Sequence, residues 1–467
     1  MSGNSPDPRR LLEITLSHLP YRPELEQKEL LAFMTTFICS SEPRKAFIIN
    51  GFAGTGKTSL MAALVKAFAD LKRKFTVLAP TGRAAKVASG FAGVPAYTIH
   101  KKIYRPVSAD PGNESFILAP NRTPDTIFIV DEASMISDSR DSRSLLLHLV
   151  RHIYSAPGCS MILVGDVAQL PPVGHCDSPA MSPNRLRELG LYPAEFTLSK
   201  PMRQASGSGI LYNATLVRNV MFTRFNPTRF GLVASRFKDV EIVSSSELAD
   251  YLSTSWGKVG IEETIIITRS NKRANNFNRQ IRARVLEAEE PIQQGERLIV
   301  SKNDYYWCEK NKVKGFIANG EIAEVKWVGS PQKAFGRYFV DTELRLPDID
   351  KPIGARIMLR SLMVDGPTIS REEQQKFFAI VADSFPGEFS EKVKSALDDP
   401  NYNALQVKYA YCITCHKAQG GQWKHVYIDL GAIPRDAISA DFYRWLYTAI
   451  TRATEKLYLV NPSFPVG

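Results

Sequence analysis

The sequence predicts an α/β protein of two parallel-sheet units, with a small hairpin inserted in the first and a β-rich module inserted in the second. Three observations carry this. Short apolar runs alternate with helical patterns across residues 1–200. The same alternation resumes at residue 264 and runs to the end of the chain. Residues 292–368 interrupt it with short strand-like runs separated by Gly and Pro. With 467 residues, the chain has room for about three ordinary domains.

Residues 47–50 read as a strand that enters a glycine-rich turn. A helix is predicted over 57–71, where Leu60, Ala63, Leu64 and Phe68 recur at helical spacing. Strands follow at 75–79, 127–130 and 161–164. Such short apolar runs between helices mark a parallel sheet covered on both faces. The second unit is predicted from a strand at 264–268, a helix over 272–285, strands near 409–413 and 426–429, a helix near 443–453 and a strand at 457–460. The inserted module supplies strands at 298–300, 321–328, 338–340 and 355–359, and residues 370–400 read as helical.

Composition narrows the function classes. Apolar residues make up 44% and charged residues 23%, values of a globular chain and not a disordered one. No apolar stretch approaches the roughly 18 residues of a membrane span. The start, MSGNSPDPRR, has no apolar signal segment, and six irregularly spaced cysteines suit a reducing compartment, so a cytoplasmic protein is expected. Cys412 and Cys415 form a lone CxxC; without a second pair they read as strand residues rather than zinc ligands. The net charge of +11 favours a polyanionic partner. The basic run Leu71-Lys72-Arg73-Lys74 reads as a solvated helix end.

The strongest chemical signal is Gly51-Phe52-Ala53-Gly54-Thr55-Gly56-Lys57-Thr58, a full GxxxxGK[ST] match between a strand and a helix. Its glycines let backbone N–H groups turn toward phosphate oxygens, and the helix N-terminus adds partial positive charge. Gly54, Thr55, Gly56, Lys57, Thr58 and Ser59 are therefore expected to hold ATP. Lys57 would reach the β- and γ-phosphates, and Thr58 would hold Mg²⁺. The strand 127–130 ends in Asp131-Glu132, at the edge where α/β proteins bind ligands. Asp131 is expected to meet Mg²⁺ through water, and Glu132 to accept a proton from the attacking water.

Further runs follow in order. Val164-Gly165-Asp166-Val167-Ala168-Gln169-Leu170-Pro171-Pro172 offers Gln169 as a γ-phosphate sensor. Arg203-Gln204 comes next, then Thr414-Cys415-His416-Lys417-Ala418-Gln419-Gly420, then Tyr447-Thr448-Ala449-Ile450-Thr451-Arg452-Ala453. This ordered set resembles the superfamily 1 helicases. The His-Lys-Ala-Gln-Gly run is similar to the 5′→3′ branch, superfamily 1B, and within it to the phage Dda-like and bacterial RecD-like group. The resemblance to the petite-integration-frequency group is less close, because residues 134–165 lack its usual Pro-Phe-Gly-Gly run.

The resemblance implies two RecA-like domains: 1–200, with an N-terminal glutamine-motif helix, and 201–291 with 406–467. It places a pin hairpin at 103–124 and an SH3-like module at 292–405. Gln27 would read adenine, Gly420 would join the nucleotide site, and Arg203 and Arg452 would be arginine fingers. Pro80, Thr81, Thr98, His100 and Lys101 in the first unit, with Thr268, Asn271, Thr414, His416 and Lys417 in the second, would grip strand phosphates without reading bases. Phe116 would head the pin that parts a duplex. The implied activity is ATP-dependent 5′→3′ translocation on single-stranded DNA with unwinding of 5′-tailed duplexes, in replication or repair. RNA stays open as a second track. The alternatives are a strand-stimulated ATPase that displaces bound proteins and an ATP-gated nucleic-acid clamp.

Overall fold

A computed structural model describes residues 7–106, 116–138, 144–202, 207–222, 230–313, 316–347, 349, 351–431, 433 and 438–467. In the first unit, period-two side-chain alternation sorts one sheet between two helical layers. Phe47, Ile49, Ile129, Ile162 and Val164 face Leu30, Leu64 and Phe68. Ala46, Ile48, Phe128, Met161 and Leu163 face the other way, onto Leu146, Leu149 and Ile153. Phe47 and Phe128 are fully buried, worth about 1.5–3 kcal/mol each. The six strands are parallel, in the order Ala96–Thr98, Phe75–Ala79, Ile127–Val130, Ser160–Gly165, Lys45–Gly51, Tyr192–Leu198.

The second unit has a five-stranded parallel sheet in the order Cys412–Thr414, Thr264–Thr268, Trp423–Asp429, Ala453–Val460, Val240–Val243. One face packs on the helices Gly209–Phe222 and Ala440–Ile450, through Ile265, Ile267, Val426 and Leu457 against Val217, Leu446 and Ile450. The other face carries Ile266, Tyr427 and Tyr458 into a core that continues through Leu298, Val300, Val340 and Ile357 of the inserted module. That module is antiparallel and is built of Arg297–Val300, Ile322–Val328, Gln332–Ala334, Arg337–Arg345, Ile353–Met358 and Val407–Tyr409. The helices Arg371–Asp383 and Phe389–Leu397 close its far side, where Phe377 of the first packs with Phe339 and Met358.

Three expectations need correction. The predicted strand at 409–413 is two strands. Val407–Tyr409 pairs antiparallel with Arg297–Val300, and Cys412–Thr414 pairs parallel with Thr264–Thr268. The module therefore runs to Tyr409 and not to residue 405. The last helix stops at Ile450, and Ala453 begins the final strand, so Arg452 sits in the connection and not on the helix. Of the expected pin, Tyr104–Pro106 pairs antiparallel with Phe116–Leu118. Residues 107–115 and the side chain of Phe116 lie outside the described residues. Cys412 and Cys415 are buried, and burial pushes both thiols up.

The switch between the two sheets is held by one side chain. Asn278, 1% exposed, donates from Nδ2 to Tyr409 O at 3.0 Å and to Cys412 O at 2.9 Å, and accepts from Cys412 N–H at 2.8 Å. Asn278→Ala would leave these buried backbone groups without partners. The expected loss is about 1–3 kcal/mol in denaturant unfolding; an unchanged midpoint would show that the strand switch does not depend on it.

Candidate nucleotide cleft and strand interface

The phosphate-binding loop leaves the strand Lys45–Gly51 and enters the helix Lys57–Asp70. Gly54 and Gly56 have φ of 75° and 84°, left-handed values that favour glycine. The cradle has no room for side chains: a Cβ on Gly56 would meet Gln27 Nε2 at 2.6 Å, Met202 Sδ at 2.9 Å and Tyr21 OH at 2.9 Å. Lys57 Nζ donates to Gly51 O and Phe52 O, which keeps its charge inside the loop. Loop shape, amide donors and lysine together fit a polyphosphate.

Gln27 is 3% exposed. Its Nε2 donates to Thr55 O at 2.9 Å, and its Oε1 accepts from Glu24 N–H at 3.1 Å. Both ends of the amide thus brace the loop and the start of its own helix.

Asp131 and Glu132 lie on the same wall of the cleft as the loop. Burial, then the adjacent Glu132, push Asp131 up to about 6 against the pull of Lys57. Cationic charge at this site would favour its carboxylate form. Glu132 has φ of 50°, a left-handed conformation that costs a non-glycine residue roughly 1–3 kcal/mol and clusters at functional sites. Gln169 is 5% exposed, and its Oε1 is without a protein partner among the described residues.

The second unit completes the cleft, a cavity of about 490 Å³ lined by Lys57, Thr58, Glu132 and Gln169 on one side and by Gly420, Gln422 and Arg452 on the other. Arg452 is 3% exposed and donates to Thr448 O at 3.0 Å, Gly421 O at 3.3 Å and Thr451 Oγ1 at 3.0 Å. These neutral acceptors hold the guanidinium at the cleft wall rather than in a surface ion pair. Arg203 lies outside the described residues.

Several contacts that close the cleft have no signal in the sequence, because each joins residues more than 200 positions apart in the chain. Gln419 Nε2 donates to Leu170 O at 2.6 Å, and Thr448 Oγ1 accepts from Leu170 N–H at 2.8 Å. Arg83 stacks 3.7 Å over the Trp423 ring and donates to Gln422 O at 3.2 Å. Tyr447 reaches Ala53 N–H and Asp166.

The expected strand contacts gather at the carboxyl ends of neighbouring strands. Ala79, just before Pro80 and Thr81, is the register partner of Thr98. Thr268 is the register partner of Thr414. Thr81 and Thr98 cap their helices by accepting from Ala84 N–H at 3.2 Å and Lys101 N–H at 3.1 Å. Lys101 and His416 are exposed; His100, Asn271 and Lys417 are half-buried, and burial pushes Lys417 down to about 8. Thr268 must be withdrawn as a contact. It is 0% exposed, and its hydroxyl donates inward to Ser270 O at 3.2 Å. Thr414, 8% exposed, offers little more.

Residues 26–204 match an AAA domain model, and residues 409–460 match a UvrD-like helicase C-terminal domain model. The ATP-dependent DNA helicase dda of Enterobacteria phage T4 is 26% identical over 67% of this chain and 70% of its own. Over two thirds of its length the chain is thus similar to an ATP-dependent DNA helicase. An uncharacterized protein, R530, of Acanthamoeba polyphaga mimivirus is 23% identical over 93% of this chain and 98% of its own. The ATP-dependent RecD2 DNA helicase of Deinococcus radiodurans is 35% identical over 27% of this chain and 16% of its own. The AAA match spans the phosphate-binding loop, Asp131, Glu132 and Gln169, and the C-terminal match spans Gly420 and Arg452. Among the described residues no helix is long and apolar enough to cross a membrane.

Closure of that cleft depends on Gly420. Its φ is 69°, and a Cβ there would meet the Ala84 Cβ at 2.8 Å, across the boundary between the units. Gly420→Ala should force the two walls apart. A misfit of about 1.4 kcal/mol in the closed state is enough for a tenfold loss. The expected outcome is at least that drop in kcat for nucleotide hydrolysis; a wild-type kcat would show that hydrolysis does not need this contact.

Proposed function

We propose that the chain is an ATP-driven DNA helicase that moves 5′→3′ along single-stranded DNA and unwinds 5′-tailed duplexes. The observation that carries the reading is one cleft lined by both units, with Lys57, Asp131, Glu132 and Gln169 on one wall and Arg452 on the other. A cleft built this way senses a γ-phosphate by closing on it. Lys57 offsets phosphate charge. Glu132 takes the proton of the attacking water. Arg452 stabilises charge in the transition state, a role in which arginine fingers contribute roughly 10³–10⁵ in rate. Thr58 and Asp131 would hold Mg²⁺, whose charge would add to that of Lys57. Closing and opening shift the strand grips of the two units against each other, Thr81, Thr98 and Lys101 against Asn271, His416 and Lys417. Direction rests on the His416-Lys417-Ala418-Gln419-Gly420 run.

Lys57→Ala should weaken ATP binding. Glu132→Gln should preserve binding and lower turnover by roughly 10²–10⁴-fold, because an amide cannot accept the proton. Equal turnover in the Gln variant would remove Glu132 from the chemistry.

The reading as a whole is tested with duplexes bearing a 5′ or a 3′ single-stranded tail, each made in DNA and in RNA. ATP-dependent unwinding of the 5′-tailed DNA alone is the expected outcome. Unwinding from the 3′ tail would overturn the direction. Strand-stimulated hydrolysis with no unwinding on any substrate would replace the helicase with the protein-displacing ATPase.

A further inference from the structure

Tyr447 lies on the helix Ala440–Ile450 of the second unit, with its residue 1% exposed in that unit's core. Its hydroxyl leaves the core and crosses to the first unit. There it accepts from Ala53 N–H of the phosphate-binding loop at 2.8 Å and donates to Asp166 Oδ2 at 2.7 Å. Asp166 is 1% exposed and uses its other oxygen to accept from Ala168 N–H at 3.0 Å. Asp166 thereby shapes the turn that carries Gln169. The next residue of the helix, Thr448, accepts from Leu170 N–H, and its own carbonyl accepts from Arg452 Nε at 3.0 Å.

The polarity of this chain of bonds is fully determined. An amide N–H can only donate, and a carboxylate can only accept. A hydroxyl is a group that can stand between them and satisfy both. Burial, and then Asp166, push the Tyr447 phenol well above its ordinary range, so its proton remains available for donation. If the phosphate-binding loop moves relative to the Gln169 turn, one of the two bonds must break. The group left behind would be buried and unpaired, which is costly.

We propose that Tyr447 is a positioning residue that ties the phosphate-binding loop to the Gln169 turn and, through its neighbour Thr448, to Arg452. A change in the loop on nucleotide binding or hydrolysis is then passed to both γ-phosphate-facing groups together. Tyr447 is not among the residues that line the cleft. The inference deepens the proposed ATPase reading and rests on it.

The test is Tyr447→Phe, which keeps the ring in the core and removes only the bridging oxygen, with Asp166→Asn as a second break in the same chain. For Tyr447→Phe, kcat of single-strand-stimulated ATP hydrolysis should fall by about tenfold or more, while KM for ATP stays within about threefold. The melting temperature should fall by only a few degrees, the cost of the buried groups that lose the hydroxyl. Asp166→Asn should give the same split. The double variant should be no slower than the slower single, because both break one linkage. A wild-type kcat in Tyr447→Phe would overturn the proposal, as would losses that multiply in the double variant. A fall in kcat that tracks a large fall in melting temperature in both singles would make these groups structural. If the wild-type chain itself shows no strand-stimulated hydrolysis, the proposed function fails first, independently of Tyr447.

Discussion

The structure depends on side chains of one unit satisfying backbone groups of the other. Leu170 shows this most simply. Its N–H is taken by the Thr448 hydroxyl and its C=O by the Gln419 amide, both from the second unit. Buried backbone groups must be paired, so the first unit's turn is complete only when the second unit is seated against it. The same logic holds at Ala53, whose N–H is satisfied by Tyr447. The cleft is a shared set of hydrogen bonds, and that is why residues on its two walls can act as one site.

The inserted module belongs mechanically to the second unit. Its strands share one core with Ile266, Tyr427 and Tyr458, and Asn278 fastens the point where the chain passes from one sheet to the other. The module also lies close to the first unit, since a Cβ on Gly82 would stand 3.7 Å from Ala318 Cβ. Gly82 follows Thr81, one of the strand-contact candidates. A body that moves with the second unit therefore stands beside the grip of the first.

Legibility differed sharply between the nucleotide site and the strand contacts. The phosphate-binding loop was readable because its chemistry is local: backbone amides, two left-handed glycines and a lysine within eight consecutive positions. The acid pair was readable because a strand end and two carboxylates are also contiguous. Thr268 was misread because a threonine at a strand end looks alike whether its hydroxyl faces solvent or turns back to its own chain. Here it turns back to Ser270. The bonds of Gln27 to Thr55 and Glu24 could be seen only in the fold.

By itself, the sequence determined the class of the fold, the glycine-rich loop, the acid pair and an ordered set of segments that resembles the superfamily 1B helicases. These follow from periodicity and from short motifs, where the interacting atoms are near neighbours along the backbone. Tertiary structure alone decided the strand switch at Tyr409–Cys412, the burial of Thr268, the seating of Arg83 on Trp423 and the bridge from Tyr447 to Ala53 and Asp166. The physical reason is distance along the chain. A hydrogen bond or a stacked guanidinium needs its two partners within a few ångströms, and only the tertiary packing of the chain brings those partners together.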